Sequence, residues 1–489
     1  MEFLTLMRIT AVRSALLAAT LLGGAGTAMA DDLRDALVAA YNTNPDLQAA
    51  RANQRAIDEN VPIAKAAGRP SVNGSASYTE FVKKSSNSFA APDRAATAQV
   101  QLGVPIYSGG AVRNSVRSAE TRVEAGQADL RGAESGVFSQ VVTAYMDVIR
   151  DSAIVGLNRK NVGVLEVNLK ATTDRFEIGD VTRTDVAQSN SRLALARGDL
   201  RGAEANLIAS RERYIQVVGK APVDLQTPPP LPGLPAAVDD AVATALENNP
   251  DLIAARERSR AASYDIDVAG AGRLPTVSVF SGGDYTADYL DSLGGSSNQV
   301  FNQRQTTAQV GVRATVPIFQ GGLPAARERQ AQARAGVALE QEIGVERDVI
   351  AQVRSAYSSW QAAREIIAMN ETAVEAAALS LEGVRAENTV GNRTILNILD
   401  AEQELLRAQV QLVAARRNAY VAGFTLLAAM GKAEARDLGL DGGPLYDPNT
   451  NYDRVKGKWF DWEMDKDPSA KGTRTVDSPA QNATIAATE

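Results

Sequence analysis

The sequence predicts an α+β membrane protein built from two copies of one unit, in which a pair of short strands is joined to a very long helical hairpin. Three observations predict this fold class. The same motifs occur twice at a nearly constant spacing, four segments alternate apolar and polar residues with period two, and the longest segments carry apolar residues with period seven.

The internal two-fold repeat is marked by motifs that recur at matching places. The motif Asn-Pro-Asp-Leu at 44–47 returns at 249–252, an offset of 205 residues. The motif Val-Pro-Ile-aromatic-x-Gly-Gly at 104–110 returns at 316–322, where the offset is 212, and Gly179 and Gly391 keep that offset. About seven residues are therefore inserted between the two strands of the second copy, while the helical parts have equal length.

The first thirty residues are predicted to be a signal peptide. Arg8 and Arg13 precede a short apolar run from Ala15 to Leu22, and Ala28-Met29-Ala30 fits the small-x-small cleavage rule. The alternative is a membrane anchor, which the apolar run is too short to form comfortably. We therefore expect an exported protein whose mature chain begins at Asp31.

The rest of the chain divides by composition into two repeats, a linker and a tail. The first repeat covers 31–221 and the second 237–436, with a linker over 222–236 that contains three consecutive prolines and is expected to be extended. The tail over 437–489 is rich in Gly, Pro, Asp, Asn and Thr, and we expect it to be mostly disordered.

Composition excludes several classes of function. The chain has no cysteine and no histidine, which excludes disulfides, a Cys/His metal site, a cysteine nucleophile, a Ser-His pair and a lipid-modified cysteine at the mature N-terminus. The net charge of -7 argues against nucleic acid as a partner. We expect no cofactor and no metal.

Each copy contains two predicted strands, over about 71–107 in the first copy and about 276–319 in the second. Their period-two alternation predicts one apolar and one polar face. Four strands are too few for a membrane barrel, because the smallest have eight. We therefore expect a trimer, whose four strands per chain close a 12-stranded transmembrane β-barrel with its apolar face toward lipid. The alternative is a small soluble sheet packed on the helices.

A long helical hairpin follows each strand pair, over about 110–219 and about 322–431. Each outgoing arm is close to seventy residues, or about 100 Å if continuous. Gly179 and Gly391 mark the turns, since glycine readily takes the left-handed conformation that ends helices. Thr182 and Asp185 then resemble a capping box.

Apolar residues spaced by seven run along both arms of each hairpin. They are Val141, Val148, Val155, Val162, Leu169 and Phe176, then Val186, Leu193, Leu200, Leu207 and Tyr214, in the first copy, and Val353, Trp360, Ile367, Val374 and Leu381, then Ile398, Leu405, Leu412, Ala419 and Leu426, in the second. This spacing predicts coiled-coil packing. An exported trimer of such chains would continue its barrel as a long periplasmic α-helical coiled-coil barrel.

The motifs resemble those of the TolC family of outer-membrane efflux and type I secretion proteins. The resemblance covers about 31–436 and includes the Asn-Pro-Asp-Leu opening, the Val-Pro-Ile-aromatic-x-Gly-Gly strand exit and the segment 390–401, Val-Gly-Asn-Arg-Thr-Ile-Leu-Asn-Ile-Leu-Asp-Ala. The absent cysteine places the chain with the non-lipoprotein, TolC-like branch of that family.

The resemblance implies an outer-membrane exit duct that extends into the periplasm. It implies a homotrimer in contact with outer-membrane lipid, a periplasmic adaptor (membrane fusion protein) as one partner and an inner-membrane ABC or proton-driven pump as another. Both type I protein secretion and small-molecule efflux are functions of this family, and substrate choice lies mostly with the pump.

The resemblance also implies roles for residues at the hairpin tips. Arg393 matches the arginine of the latch that closes the periplasmic end, and Asp185 matches its acidic partner. Asp400 matches one of two aspartate rings at the constriction. Asn397 stands where the second aspartate would be, and Asn388 stands where the latch has a tyrosine. The alternative is that these residues are solvated turn charges and a helix cap.

An enzyme and a periplasmic adaptor are the other classes of protein to compare with the duct. An enzyme is not expected, because the paired carboxylates lie in no recognisable catalytic context. A periplasmic adaptor, or another coiled-coil structural protein of an envelope complex, also has a helical hairpin. An adaptor typically has one hairpin and a soluble β-domain, rather than a duplicated strand pair and hairpin.

Overall fold

The computed structural model describes residues 32–83, 92–289, 303–440 and 445–485. Its two copies of the repeat share one plan, in which short helices precede a strand pair and a helical hairpin, but two helices of the first copy correspond to one longer helix of the second. The predicted signal peptide lies outside the described residues. The first copy comprises α1 (Leu33–Thr43), α2 (Pro45–Asp58), α3 (Asn60–Ala66), β1 (Ser71–Glu80), β2 (Arg94–Tyr107), α4 (Ala111–Glu177) and α5 (Arg183–Val218). The second comprises α6 (Val238–Asn248), α7 (Pro250–Gly270), a 3-10 turn (Ala271–Arg273), β3 (Thr276–Tyr289), β4 (Arg304–Thr315), α8 (Leu323–Thr389) and α9 (Ile395–Ala429).

The Asn-Pro-Asp-Leu motif breaks the chain between two helices and caps the second of them. The Asn44 side chain accepts hydrogen bonds from the backbone N–H groups of Asp46 and Leu47, and proline stands at the first position of α2, where it needs no N–H. Asn44 Nδ2 also donates to Val217 O at 2.9 Å, at the end of α5. The motif therefore ties the start of α2 to the end of the returning arm of the hairpin.

The second copy repeats this arrangement. The Asn249 side chain caps α7 in the same way, and its Nδ2 donates to Ala429 O at 2.9 Å, at the end of α9. Both asparagines are buried. The motif that marks the repeat in the sequence is thus a structural clamp in each copy.

The four strands form one antiparallel sheet in the order β1-β2-β3-β4, which confirms the predicted strand content. The middle pair, β2 and β3, joins the two copies of the repeat. Strand β4 ends at Thr315 and not near 319 as predicted. Pro317 explains the difference, since proline has no N–H to offer a ladder, whereas β2 continues past Pro105 through a shift in its register with β3.

The two outgoing helices α4 and α8 have 67 residues each, whereas the returning helices α5 and α9 have 36 and 35. The returning helices therefore cover only the part of each outgoing helix nearer the tip. Nearer the sheet, α7 packs against both α4 and α8. Each long helix consequently has a neighbour along most of its length. Such packing supplies most of the stability of a helix in a protein.

Burial differs sharply between the two copies. The largest core surrounds Phe138, Tyr145 and Tyr214, and it joins α1, α4, α5 and α9. The heptad residues of α4 are buried along most of the arm, but only four of the 67 residues of α8 are buried. The four are Ala335, Val349, Val353 and Leu381. The apolar stripe of α8 therefore lies largely at the surface of the single chain.

The described part of the tail, residues 445–485, contacts the surface of the repeats. It contains α10 (Pro448–Val455), and the backbone N–H of Tyr446 donates to the Tyr41 hydroxyl at 2.8 Å. Further on, Arg211 donates to Asn482 O and Thr484 O at 2.5 and 2.8 Å. The folded repeats thus supply hydrogen-bonding partners for a tail whose composition is rich in Gly, Pro, Asp, Asn and Thr.

Candidate functional site at the hairpin tips

Both hairpins turn through the same backbone motif. Gly179 and Gly391 have φ angles of +81° and +83°, in the left-handed region. The N–H of each glycine donates three residues back, and the N–H of the next residue donates five residues back, to Arg175 O and Glu387 O at 2.9 and 3.0 Å. This is a Schellman motif, in which glycine avoids the strain that a Cβ would bring.

The first tip is held by a capping box at the start of α5. Asp185 N donates to Thr182 Oγ1 at 3.3 Å, while the Asp185 carboxylate accepts from Thr182 N at 2.8 Å and from Thr182 Oγ1 at 2.7 Å. These hydrogen bonds to Thr182 lower the pKa of Asp185 below its usual range. Within the chain, Asp185 thus acts as a helix cap at the exposed end of the molecule.

Asn397 is the counterpart of Asp185 in the second copy, at the offset of 212. Its Oδ1 accepts from Thr394 N at 3.1 Å and from Thr394 Oγ1 at 2.9 Å. Asn397, which the family resemblance predicts to stand in the place of a ring aspartate, is therefore engaged in capping α9. An amide performs the same capping as the Asp185 carboxylate, without the charge.

Arg393 lies on the turn of the second tip and does not reach Asp185 of the same chain. Its Nε donates to Glu387 Oε2 at 2.6 Å, and its carbonyl oxygen accepts from Asn388 Nδ2 at 2.7 Å. Asn388 and Glu387 thus hold the second turn closed around Arg393. The single chain does not bring the two predicted latch residues together.

Asp400 lies one turn into α9 and contacts the other hairpin. Its Oδ1 lies 2.6 Å from the Arg192 guanidinium on α5, and Arg192 also donates to Gln403 at 3.1 Å. The ion pair is partly exposed to solvent. Asp400 therefore joins the two returning helices near the tips, a contact that the sequence did not predict.

A second cross-hairpin contact was also missed from the sequence. Glu402 is 7% exposed. It accepts from Arg385 of α8 at 2.8 Å and from Asn168 of α4 at 3.4 Å. Buried carboxylates are rare unless paired. The available signal was the spacing of three from the buried Leu399, which places Glu402 on the face of α9 that meets the first hairpin.

The side chains at the two tips form helix caps, turn contacts and ion pairs. Among the described residues, no group of three or more acidic side chains could hold a metal ion. In the same part of the chain, no helix is both long and apolar enough to cross a membrane. The tip residues instead form caps, turn contacts and ion pairs, which can be rearranged without a chemical step.

Comparison with known proteins agrees with this architecture. A family model described as outer membrane efflux protein matches residues 36–220 and 241–432. The chain is 35% identical over 446 residues to the outer membrane efflux protein BepC of Brucella suis, covering 91% of this chain and 94% of BepC. It is 26% identical over 434 residues to the outer membrane protein TolC of Escherichia coli, covering 86% of this chain and 87% of that protein.

The fold is also that of a solved channel. The Campylobacter jejuni CmeC outer membrane channel superposes with a TM-score of 0.71 at 17% identity, covering 87% of this chain and 89% of CmeC. The two blocks matched by the family model fall on the two copies of the strand pair and hairpin. This chain therefore belongs to the family of outer membrane efflux proteins, the TolC family of the cell outer membrane.

Proposed function

We propose that three copies of this chain form an exit duct, with a 12-stranded transmembrane β-barrel continued by a periplasmic helical tunnel. The duct receives cargo from an inner-membrane ABC or proton-driven pump through a periplasmic adaptor. Its relatives are efflux and channel proteins rather than enzymes. The observation that carries the proposal is the division of the sheet into a polar face and an apolar face that continue across all four strands.

The polar face consists of rows of residues that are paired from strand to strand across the sheet. One row runs through Asn73, Gln101, Gly282 and Gln309, and the next runs through Ser75, Gln99, Asp284 and Thr307. Such rows are suited to the water-filled lumen of a barrel, where polar groups keep their hydration.

The apolar face is built in the same way and lies at the surface of the chain. One row runs through Val72, Leu102, Ser281 and Val310, and a second runs through Val104, Val279 and Val312. Val310 is 79% exposed and Val312 is 69% exposed. A β-branched face of this kind on a sheet is expected to bury itself against lipid.

The number of chains in the assembly follows from the two open edges of the sheet. In the described part of the chain, β1 pairs only with β2 and β4 pairs only with β3. Pairing β4 of one copy with β1 of the next would close a ring. Two copies would make eight strands, whose interior side chains fill, whereas three copies make twelve strands and leave a passage.

The surface of α8 supports assembly as well. Its apolar residues include Ile366, Met369 and Leu379, all of them exposed in the single chain. A stripe of apolar residues along a long helix normally packs against a neighbour. In the trimer, α8 and α9 would pack against the first hairpin of the adjacent chain and complete the tunnel wall.

The tip residues then form the periplasmic gate. Arg393 uses Nε within its own turn. Its guanidinium has further donors, and in the proposed latch these bind Asp185 of the adjacent chain. Asp400 from three copies forms one ring of carboxylates at the constriction. Because Asn397 replaces the second aspartate, cation focusing is weaker than two charged rings would give. Asn388 replaces the latch tyrosine and supports the turn instead.

Single-channel recording in lipid bilayers tests the duct and its latch together. We expect trimers extracted with detergent to conduct ions at a low level that rises in Arg393→Ser. Unchanged conductance and gating in Arg393→Ser would contradict the latch. A chain that is soluble without detergent and does not conduct would contradict the duct and favour the periplasmic adaptor, or another coiled-coil protein of the envelope.

Cargo is tested by deleting the gene and comparing two readouts. Loss of particular proteins from the culture medium would assign type I protein secretion, whereas increased sensitivity to drugs would assign small-molecule efflux. Both are expected uses of one wall chemistry, because the pump and not the duct selects the cargo.

A further inference from the structure

We propose that the tail carries a membrane anchor, a pinned loop over residues 459–464 that inserts aromatic side chains into the periplasmic leaflet of the outer membrane. Its ligand is the phospholipid of that leaflet. The inference rests on the proposed placement of the sheet in the membrane.

The loop is held at its base by ion pairs. Both nitrogens of the Arg454 guanidinium fork donate to the carboxylate of Asp465 at 2.7 Å, and Lys458 Nζ lies 3.2 Å from the same carboxylate. Inside the loop, Glu463 N donates to Phe460 O at 3.3 Å and closes a turn. The chain between these contacts therefore has a defined shape, in which Trp462 lies at the centre of the turn.

Large apolar side chains occupy the loop and face outward. Trp459 is 55% exposed, Phe460 72%, Trp462 90% and Met464 82%. Single exposed apolar residues are ordinary, but four within a loop of six residues, where only Asp461 and Glu463 separate them, indicate an interaction site. Two of the three tryptophans of the chain lie in this loop, and tryptophan is enriched at membrane–water interfaces, where its ring is buried and its N–H stays hydrated.

The loop is attached next to the membrane end of the sheet. Arg69 donates to Lys458 O at 2.6 Å, and its guanidinium lies 4.7 Å from the centre of the Trp459 ring. Arg69 stands two residues before β1 begins at Ser71, at the end of the sheet where the strands meet the helices. In the proposed duct this end is the periplasmic rim of the barrel, so the loop lies at the level of the lipid headgroups.

Charge favours insertion of apolar groups over electrostatic attraction to a surface. The segment 456–467 contains three lysines and four acidic residues, and Lys456 and Lys458 are paired with Asp453 and Asp465. A polybasic patch would lose membrane binding as salt rises, whereas burial of apolar rings would not. The loop therefore resembles an interfacial anchor whose membrane binding depends on its aromatic residues.

The direct test follows the emission of Trp462 alone. In the double variant Trp360→Phe/Trp459→Phe, Trp462 is the remaining tryptophan, and phenylalanine keeps an aromatic ring under Arg69. The trimer is reconstituted into vesicles of phosphatidylethanolamine and phosphatidylglycerol that contain lipids with a doxyl quencher near the headgroup or deep in the acyl chain. We expect blue-shifted emission and stronger quenching by the shallow quencher, unchanged in high salt.

Two outcomes overturn the anchor. Quenching by aqueous acrylamide without quenching by either lipid would place Trp462 in water. Emission shielded from acrylamide and from both lipids would place it against a second copy of the chain. Ion conductance is measured in the same vesicles. If the trimers conduct and either outcome is observed, only the anchor is contradicted. If the protein neither inserts nor conducts, the proposed duct is contradicted and the anchor with it.

A second variant guards against an indirect effect of the tryptophan substitutions. Phe460→Ser/Trp462→Ser/Met464→Ser removes the exposed group but leaves Trp459 and the ion pairs at the base. Its matched control is Val476→Ser, which removes an exposed apolar residue from the same tail. We expect the triple variant alone to expose residues 456–470 to added protease in vesicles. Equal protease sensitivity of the triple variant and the control would contradict the anchor.

Discussion

Arg192 on α5 and Asp400 on α9 form an ion pair of 2.6 Å that joins the returning helices of the two hairpins near their tips. The pair lies where the proposed gate would have its ring of carboxylates. A guanidinium beside each carboxylate neutralises part of the charge that the passage presents to cations. The pair thus links the packing of the two hairpins to the electrostatics of the proposed constriction.

Removing the arginine of this pair is expected to raise cation conductance. Arg192→Gln leaves the Asp400 carboxylate uncompensated and releases a contact between the hairpins, and both effects favour cation passage. Stability should change by less than about 1 kcal/mol, because exposed ion pairs contribute little. Single-channel conductance and cation-over-anion selectivity in bilayers measure the effect.

The matched control is Arg197→Gln on the same helix. Arg197 lies 2.7 Å from Glu166 within the first hairpin, so its loss leaves the second hairpin untouched. We expect conductance and selectivity close to those of the unaltered protein. An equal rise in both variants would assign the effect to general loosening of α5 and would contradict the role of Asp400.

The buried carboxylate of Glu402 is expected to stabilise the packing of the hairpins. Glu402→Ala removes the acceptor for Arg385 and Asn168 at a site that water hardly reaches. Losing hydrogen bonds to a buried charged group costs about 2 kcal/mol. Thermal unfolding of the detergent-extracted protein should therefore show a lower midpoint.

Glu404→Ala provides the comparison for this prediction. Glu404 is exposed and lies 4.0 Å from Arg407 one turn along α9, so its removal should change stability by less than about 0.5 kcal/mol. If Glu402→Ala were as stable as Glu404→Ala, the buried contact would have no net stabilising effect.

The clamp of the second copy can be divided into its two parts by substitution at Asn249. Asn249→Ser keeps a side-chain oxygen that caps α7 but loses the amide that donates to Ala429 O. Asn249→Ala loses both. We expect about 1 kcal/mol of destabilisation for serine and about 2 kcal/mol for alanine, measured by denaturant unfolding. Equal losses in the two variants would show that the cap contributes nothing.

The sequence predicted those parts of the fold that local patterns encode. Period two found the strands, and Gly179 and Gly391 marked the turns because a left-handed residue is needed there. Contacts between the hairpins were missed, since Arg192 and Asp400 are 208 residues apart and neither residue interrupts a local pattern. The contacts of the tail, such as that of Tyr446 with Tyr41, were missed for a related reason, because its partners belong to a surface that exists only after the repeats have folded.

The caps formed by the equivalent residues Asp185 and Asn397 are expected to respond differently to acid. The hydrogen bonds from Thr182 lower the pKa of Asp185, so the carboxylate stabilises the first tip at pH values above its unfolded pKa. That contribution is lost as the pH falls through the lowered folded pKa. Asn397 does not titrate, so the cap that it forms with Thr394 does not respond to acid. We therefore expect acidification below the usual Asp range to weaken the first tip and to increase channel opening.

Reciprocal substitutions test this difference between the tips. Asp185→Asn should keep the cap, as Asn397 does in the second copy, and should abolish the part of the acid response that comes from the first tip. Asn397→Asp should add a second acid-sensitive cap and extend the response. The measurement is open probability in bilayers over a series of acidic pH values. An acid response that survives unchanged in Asp185→Asn would exclude this carboxylate as its source, and a constant open probability in the unaltered channel would show that the first cap does not influence opening.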